Sequence, residues 1–317
     1  MVLISSTLND YSTNDVIDWF QKADQEIQFI RLNPEDLISN LKIDLANSDG
    51  GIFVGIEINK KELSISNISS FWYRRGEFSC THNAFELRNR QDLDIKNYLN
   101  KEWDVVSDFI SNRLLEKKKL GDIKDNKLNK LEVLAKAKRL GIDIPKTIIT
   151  TNPIEGSREL IAKSMYNGGF TIEEKYSVGT FTQLVTTDSQ DNFFPSLFQE
   201  KIEKLYELRI FYFDQIFYPS AIFSQGNKKT EIDFRDYDKE KPNRVVPFKL
   251  PSSIEVKLTT LMDELKLETG SIDMIVTPDK KYVFLEVNPI GQFNQVSVPC
   301  NYNLEEKIAN YLLNEQD

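Results

Sequence analysis

Hydrophobic and polar positions alternate in three distinct ways along the chain, and the changes divide it into three sections. The first opens on the apolar run Val2-Leu3-Ile4, which predicts a strand, and continues with STNDVIDWFQ. There Ser12 or Thr13 can cap a helix whose apolar face is Val16, Ile17, Trp19 and Phe20. IQFIRLN, GIFVGIEIN and SSFWYRR read as strands, and NSDGG (Asn47 to Gly51) reads as a turn between two of the elements. No Gly-x-Gly-x-x-Gly follows a strand, so a dinucleotide fingerprint is unsupported.

A charged segment, LLEKKKLGDIKDNKLNK, marks the next boundary, and its lysines read as a solvated helix face. Leu128, Leu131, Leu134, Ala135 and Leu140 then recur at helical spacing, with Gly141 ending the helix and IDIPKTIITT supplying a strand. A helix and short strands (ELIAKSM, GFTIEEKY, TFTQLVT) follow, the make-up of a small covering lobe. The last section holds longer strands, a helix near 252–267, a hairpin and a terminal helix from Leu304 to Leu313, which either supplies an interface or closes the core. The expected division is 1–115, an N-terminal α/β domain; 116–195, a central lobe; and 196–317, a C-terminal lobe.

The hairpin, SIDMIVTPDKKYVFLEVNP, carries the chemistry. A two-residue turn at Asp279-Lys280 sets Asp273 opposite Glu286. Alternation then gives one face with Asp273, Ile275, Phe284, Glu286 and Asn288. The other face holds Ile272, Met274, Val276, Val283, Leu285 and Val287, all apolar and therefore core. Two carboxylates facing each other across a ladder repel, and a cation removes the repulsion. Hard oxygen donors of this kind suit Mg²⁺, which takes one or two carboxylates and completes its shell with water and phosphate oxygens.

Composition narrows the classes. With 40% hydrophobic and 11% aromatic residues in 317, the chain can bury a core. A net charge of −9 argues against a general nucleic-acid binder. Two cysteines without paired spacing, Cys80 and Cys300, and the single His82 argue against a disulfide scaffold or a zinc site. No apolar stretch reaches the roughly 18 residues of a membrane span and the start lacks a basic region, so a soluble cytoplasmic protein is expected, with neither membrane nor nucleic acid as partner.

Several segments together resemble a known family. SIDMIV and YVFLEVNPIGQF resemble the metal-binding end of ATP-grasp enzymes. KAKRLGIDIPKTIIT is similar to the segment that opens that fold, and LFQEKIEKLYELRIFYF to its hinge strand and Glu-x-Arg strand. More closely, NDYSTNDVIDW, WYRRG, IDFRDYD, KPNRVVPFKLP and FLEVNPIGQF resemble the ATP-grasp peptide maturases of grasp-with-spasm clusters, relatives of microviridin-type graspetide macrocyclases and RimK-like ligases. The fold this implies is α/β (α+β): a pre-ATP-grasp domain, a small covering lobe and a catalytic lobe.

The resemblance also implies roles. Asp273, Glu286 and Asn288 hold Mg²⁺, with Asn288 also beside the ATP phosphates. Lys163 reaches the nucleotide. Glu200, Lys201 and Ile202 of the hinge meet the adenine edge, and Glu207 binds the ribose. Arg209 stabilises the transferred phosphoryl group, while Asp233 and Arg235 of IDFRDYD orient the substrate, with Arg244 and Lys249 as weaker candidates. The implied activity is ATP-dependent macrocyclisation of a ribosomal precursor peptide: its Asp or Glu side chains, activated as acyl phosphates, are attacked by Ser/Thr hydroxyls or Lys amines. The implied partners are that peptide (leader plus core), a radical SAM/SPASM maturase and a second copy in a homodimer. Arg74, Arg75, Arg235 and Arg244 are expected to form positive patches for the acidic core. A ligase adding a free amino acid to a peptide or protein carboxylate, and an inactive nucleotide-binding scaffold, remain the alternatives.

Overall fold

The computed structural model describes residues 1–23, 27–46, 52–58, 61–80, 90–152, 154, 159–165, 170–172, 176–178, 183–185, 193–224 and 242–314. They form two compact units, Met1–Asn126 with Asn303–Asp317, and Lys127–Tyr302.

In the first unit the apolar opening run becomes β1 (Val2–Ser5), followed by α1 (Tyr11–Ala23) and β2 (Phe29–Leu32). An antiparallel stretch follows: β3 (Leu37–Asp44), β4 (Phe53–Ile58) and β5 (Lys61–Ser64). Then come β6 (Ser70–Tyr73), the short β7 (Ser79–Cys80), the long α2 (Arg90–Leu115) and β8 (Lys118–Leu120). Two sheets result, a parallel one ordered β2-β1-β6-β8 and a second ordered β5-β4-β3-β7. The parallel sheet explains the unbroken apolar runs: strands covered on both faces need no polar alternation, and every residue of β1 and β6 is buried. The charged segment differs from its reading as a solvated helix face. Its Lys118 and Lys119 lie in the edge strand β8, half-buried, where Lys118 Nζ donates to Asn314 O at 2.8 Å while Leu120 enters the core.

Beyond the ends of β1 and β6 lies a buried polar knot. Arg74 Nε donates to Asp10 Oδ2 at 3.1 Å, and its Nη2 donates to Ser12 Oγ at 3.1 Å. Ser12 Oγ in turn donates to Asp10 Oδ1 at 2.5 Å, and Ser6 bonds Thr13 at 2.9 Å. Burial pushes the Arg74 guanidinium below its ordinary value, and Asp10 beside it opposes that shift. Ser12 and Thr13 therefore sit inside the first turn of α1. Arg74 is 3% exposed, so it is internal and no part of a surface patch, whereas Arg75, Arg244 and Lys249 are exposed. Removing one member of such a pair leaves a buried, uncompensated charge. Asp10→Ala is expected to cost the first unit about 3–5 kcal/mol, read as a lower midpoint in urea unfolding, with Asp10→Asn losing less.

The second unit begins with α3 (Lys130–Arg139), capped by the Asn129 side chain, which accepts from Leu131 N and Glu132 N. Gly141 ends it at φ +71°. A small sheet of order β13-β10-β14-β9 follows, built from β9 (Thr147–Thr150), β10 (Leu160–Lys163), β13 (Gln183–Val185) and β14 (Ser196–Glu200). Between them β11 (Phe170–Ile172) pairs with β12 (Tyr176–Val178).

The main sheet has five antiparallel strands in the order β17-β16-β15-β18-β19. They are β15 (Tyr206–Phe213), β16 (Ile216–Phe223), β17 (Arg244–Pro247), β18 (Thr269–Val276) and β19 (Tyr282–Asn288). The helix α4 (Ser252–Leu265) precedes β18, and α5 (Asn294–Cys300) follows β19. One sheet face carries Leu208, Ile210, Tyr212, Ile272, Met274, Val276, Phe284 and Val287. These pack with Val133, Leu134 and Ala137 of α3 and Leu258, Leu261 and Met262 of α4. That apolar face fixes the sheet, and the opposite face is left for polar groups.

The last helix, α6 (Leu304–Leu313), was read with the third section of the sequence. It packs instead in the first unit, against α1, β6 and β8. Leu304, Ile308, Ala309 and Leu312 are buried there, and Ser70 Oγ donates to Leu312 O at 2.6 Å. Of its two sequence readings, this is the one that closes a core. Among the described residues no helix is long and apolar enough to cross a membrane.

Candidate active site

Three neighbouring strands set Arg209, Asp273 and Glu286 in one row: Arg209 is opposite Asp273, and Asp273 is opposite Glu286. The facing carboxylates expected from the sequence are therefore present, but the ladder reaches them differently. Val276 pairs with Tyr282, and Thr277 N bonds Lys281 O at 3.0 Å around a three-residue loop with Lys280 at φ +62°. That loop alone would offset the register by one. A bulge between Asp273 and Met274 takes up the extra residue, Leu285, and restores the pairing of Asp273 with Glu286. Below the bulge the faces exchange. Phe284 pairs with Met274 in the core at 0% exposure, and Val283 faces the other way beside Ile275.

The carboxylates already have cationic neighbours. Arg209 Nη1 donates to Asp273 Oδ2 at 2.7 Å and Oδ1 at 2.8 Å, with both side chains under a tenth exposed. Lys130 Nζ lies 3.4 Å from Glu286 Oε2 and 3.4 Å from Ser164 O. Glu207, 5% exposed, pairs with Lys204 and lies near Ser224 Oγ. Glu207 and Arg209 are two apart on β15, so both project from the side opposite the core.

Lys130, the last residue of the charged segment, reads from the sequence only as part of a solvated helix face, whereas its ammonium meets Glu286. Its signal was available: a lysine directly after the cap Asn129 puts a cation at the positive end of a helix, where the dipole disfavours it. A nearby anion accounts for that position.

Asn288 ends β19. Its Oδ1 accepts from Ile290 N at 3.1 Å and its backbone O from Gly291 N at 3.1 Å, a local turn that fixes the amide at the strand end. The turn needs glycine. A Cβ on Gly291 would lie 2.1 Å from Ser271 Oγ and 2.2 Å from Ser271 Cβ.

In the small sheet Lys163 ends β10 opposite Leu197, half-buried. Glu200 is anchored to the start of β9: its Oε1 accepts from Lys146 N at 2.9 Å, and its N donates to Lys146 O at 3.0 Å. Lys201 N donates to Glu159 O at 3.0 Å and its ammonium pairs with Glu159 at 3.0 Å. Ile202 follows, half-buried. Asp233 and Arg235 lie outside the described residues, as do His82 and the turn from Asn47 to Gly51. Cys300 is buried and Cys80 half-buried.

Asp273, Glu286 and the Asn288 amide oxygen are hard oxygen donors at one end of a hairpin, a set that fits a cation of the magnesium type. Among the described residues no group of three His, Cys, Asp or Glu side chains forms a ready cage. Two carboxylates and an amide suit an ion that draws its remaining ligands from water and phosphate.

An antiparallel main sheet backed by two helices, a small strand-built lobe and carboxylates on the last hairpin define an ATP-grasp ligase fold, and similar solved structures agree over the whole chain. A Chryseobacterium gregarium RiPP-associated ATP-grasp ligase, in complex with ADP and a leader and core peptide, is 26% identical, with 100% of this chain and 97% of that one covered and a TM-score of 0.80. The macrocyclase MdnC from Microcystis aeruginosa MRC, bound with its precursor peptide MdnA, is 26% identical over 98% and 99% of the two chains, with a TM-score of 0.76. The ATP-grasp ligase PsnB, complexed with minimal precursor, Mg and ADP, shares the fold at 12% identity, 98% and 97% coverage and a TM-score of 0.68. No protein-family model and no curated protein matches the sequence.

Proposed function

We propose that this protein is an ATP-dependent macrocyclase of a ribosomally made precursor peptide, linking acidic side chains to Ser/Thr hydroxyls or Lys amines. The observation that carries the reading is the row Arg209, Asp273, Glu286 within a fold shared end to end with peptide-bound ATP-grasp ligases.

Asp273, Glu286 and Asn288 would hold Mg²⁺, which supplies charge neutralisation for the ATP phosphates. Lys163 and Lys130 bring ammonium groups to the phosphates from the small sheet and from the start of α3. The hinge Glu200-Lys201-Ile202 meets the adenine edge through its backbone, and Glu207 accepts from the ribose hydroxyls. A peptide carboxylate oxygen attacks the γ-phosphorus and ADP leaves. The hydroxyl or amine then attacks the acyl carbon, loses its proton and expels phosphate. Each linkage removes one water from the peptide, which is balanced by hydrolysis of one ATP to ADP and phosphate. Positioning and charge neutralisation dominate such a transfer, and Arg209 faces the charge that develops on the phosphoryl oxygens. Asp233 and Arg235 are assigned to the substrate, Asp233 to take the proton and Arg235 to fork onto the carboxylate, on the resemblance of IDFRDYD alone.

The same resemblance supports a cytoplasmic enzyme acting as a homodimer beside a radical SAM/SPASM maturase. Hydroxylamine added to protein, ATP, Mg²⁺ and an acidic precursor peptide tests the activation step. Hydroxamates on Asp or Glu side chains of the peptide are expected, and steady ADP release without any hydroxamate would contradict the acyl phosphate.

A further inference from the structure

The cations on the two facing carboxylates are arranged in an unusual way. A guanidinium meets a carboxylate best with two nitrogens on two oxygens. Arg209 instead uses the single nitrogen Nη1 for both oxygens of Asp273, at 2.7 and 2.8 Å. Its Nε is buried and, among the described residues, has no hydrogen-bond partner. A buried N–H without an acceptor is costly, so Arg209 has a donor left for another oxygen. Beside it Lys130 stands on Glu286 at 3.4 Å, one-fifth exposed and so only partly withdrawn from water. Each carboxylate of the ladder is thus already neutralised by a side chain of this chain.

We infer that Arg209 and Lys130 are stand-ins for the divalent cation: they occupy Asp273 and Glu286 until phosphate oxygens draw them away. A metal arriving alone competes with Arg209 for Asp273. A metal arriving with a nucleotide does not, because the phosphates offer Arg209 the acceptors that Asp273 leaves unfilled, including one for Nε. Metal and phosphate binding are therefore coupled through the exchange of a guanidinium, and the coupling is reciprocal. The consequence is economy of response: the site stays closed to free divalent cations and assembles on the metal–nucleotide complex. This inference rests on the reading of Asp273 and Glu286 as metal residues, and goes beyond it in making Arg209 an opponent of the metal as well as a partner of phosphate.

The test uses the full chain with Mn²⁺ as the probe, free ion being counted by its electron paramagnetic resonance signal, with and without ADP. For the unaltered protein ADP is expected to raise Mn²⁺ affinity about tenfold or more. Arg209→Met is expected to raise ADP-free Mn²⁺ affinity about tenfold, because Asp273 loses the Arg209 guanidinium that competes with the metal, while weakening binding of ADP without metal. ADP-free Mn²⁺ binding that is unchanged or weaker in Arg209→Met overturns the inference. Should Arg209→Met not fold, Lys130→Met, at the partly exposed start of α3, gives the same sign at Glu286 with a rise of about threefold, and no rise overturns the exchange there. Failure of the underlying reading looks different: Mn²⁺ binding, with ADP present, that Glu286→Gln leaves untouched.

Discussion

Glu286→Gln is expected to reduce ATP-dependent modification of the peptide about 10²–10³-fold or more while leaving thermal stability nearly unchanged. The glutamine keeps the volume and the strand position, so the pairing with Asp273 survives. What it removes is the charge that the proposed cation, shared with Asp273, would require. The folded state has little reason to suffer. Glu286 is partly exposed and its pair with Lys130 is 3.4 Å apart, so losing the pair costs at most about 1 kcal/mol. Loss of one of two facing like charges offsets part of that. Turnover of peptide and a thermal melt, measured on the same preparation, separate the effects. Activity within tenfold of the unaltered protein would remove Glu286 from the metal site, and a collapsed melt would make its role structural.

Gly291→Ala acts by a different route and should cost about 3 kcal/mol of stability together with most of the activity. A methyl at this position overlaps the Ser271 side chain and approaches Ser271 N to 2.9 Å. Ser271 cannot yield, since it is fully buried in β18 and sits directly opposite Asn288. The turn must move instead, and with it go the bonds from Ile290 N and Gly291 N that hold Asn288. Urea unfolding reads the first loss and peptide turnover the second. Ser271→Gly in the same chain removes the two closest clashes and should recover part of both. No recovery would mean that the glycine serves some other constraint.

The register of the last hairpin shows how far sequence reasoning reaches and where it stops. Alternation identifies Asp273 and Glu286 as partners, yet the two-residue turn assumed for it is a three-residue loop, and the bulge at Leu285 repairs the difference. Apolar residues stand at every position from Val283 to Leu285, so the pattern holds no mark of a skipped residue, and Phe284 was assigned to the wrong face. Helices with strong spacing, such as α3, and the buried strands β1 and β6 were legible because one physical requirement, burial, set every position. Lysine-rich β8 was hidden because an edge strand of the parallel sheet tolerates charge outside a single buried Leu120. Arg74 was misassigned to the surface for the complementary reason: its partner Asp10 is 64 residues away, and only the folded sheet brings them together. Lys130 was missed because one lysine among many has no pattern until the cap before it is recognised.

The most direct test of the whole account is the intact mass of an acidic precursor peptide after incubation with this protein, ATP and Mg²⁺. The account predicts successive losses of one water, each matched by one ADP formed, with fragmentation assigning every loss to an Asp or Glu joined to a Ser, Thr or Lys. A peptide that gains the mass of an amino acid, or that stays unchanged while ATP is turned over, would contradict macrocyclisation.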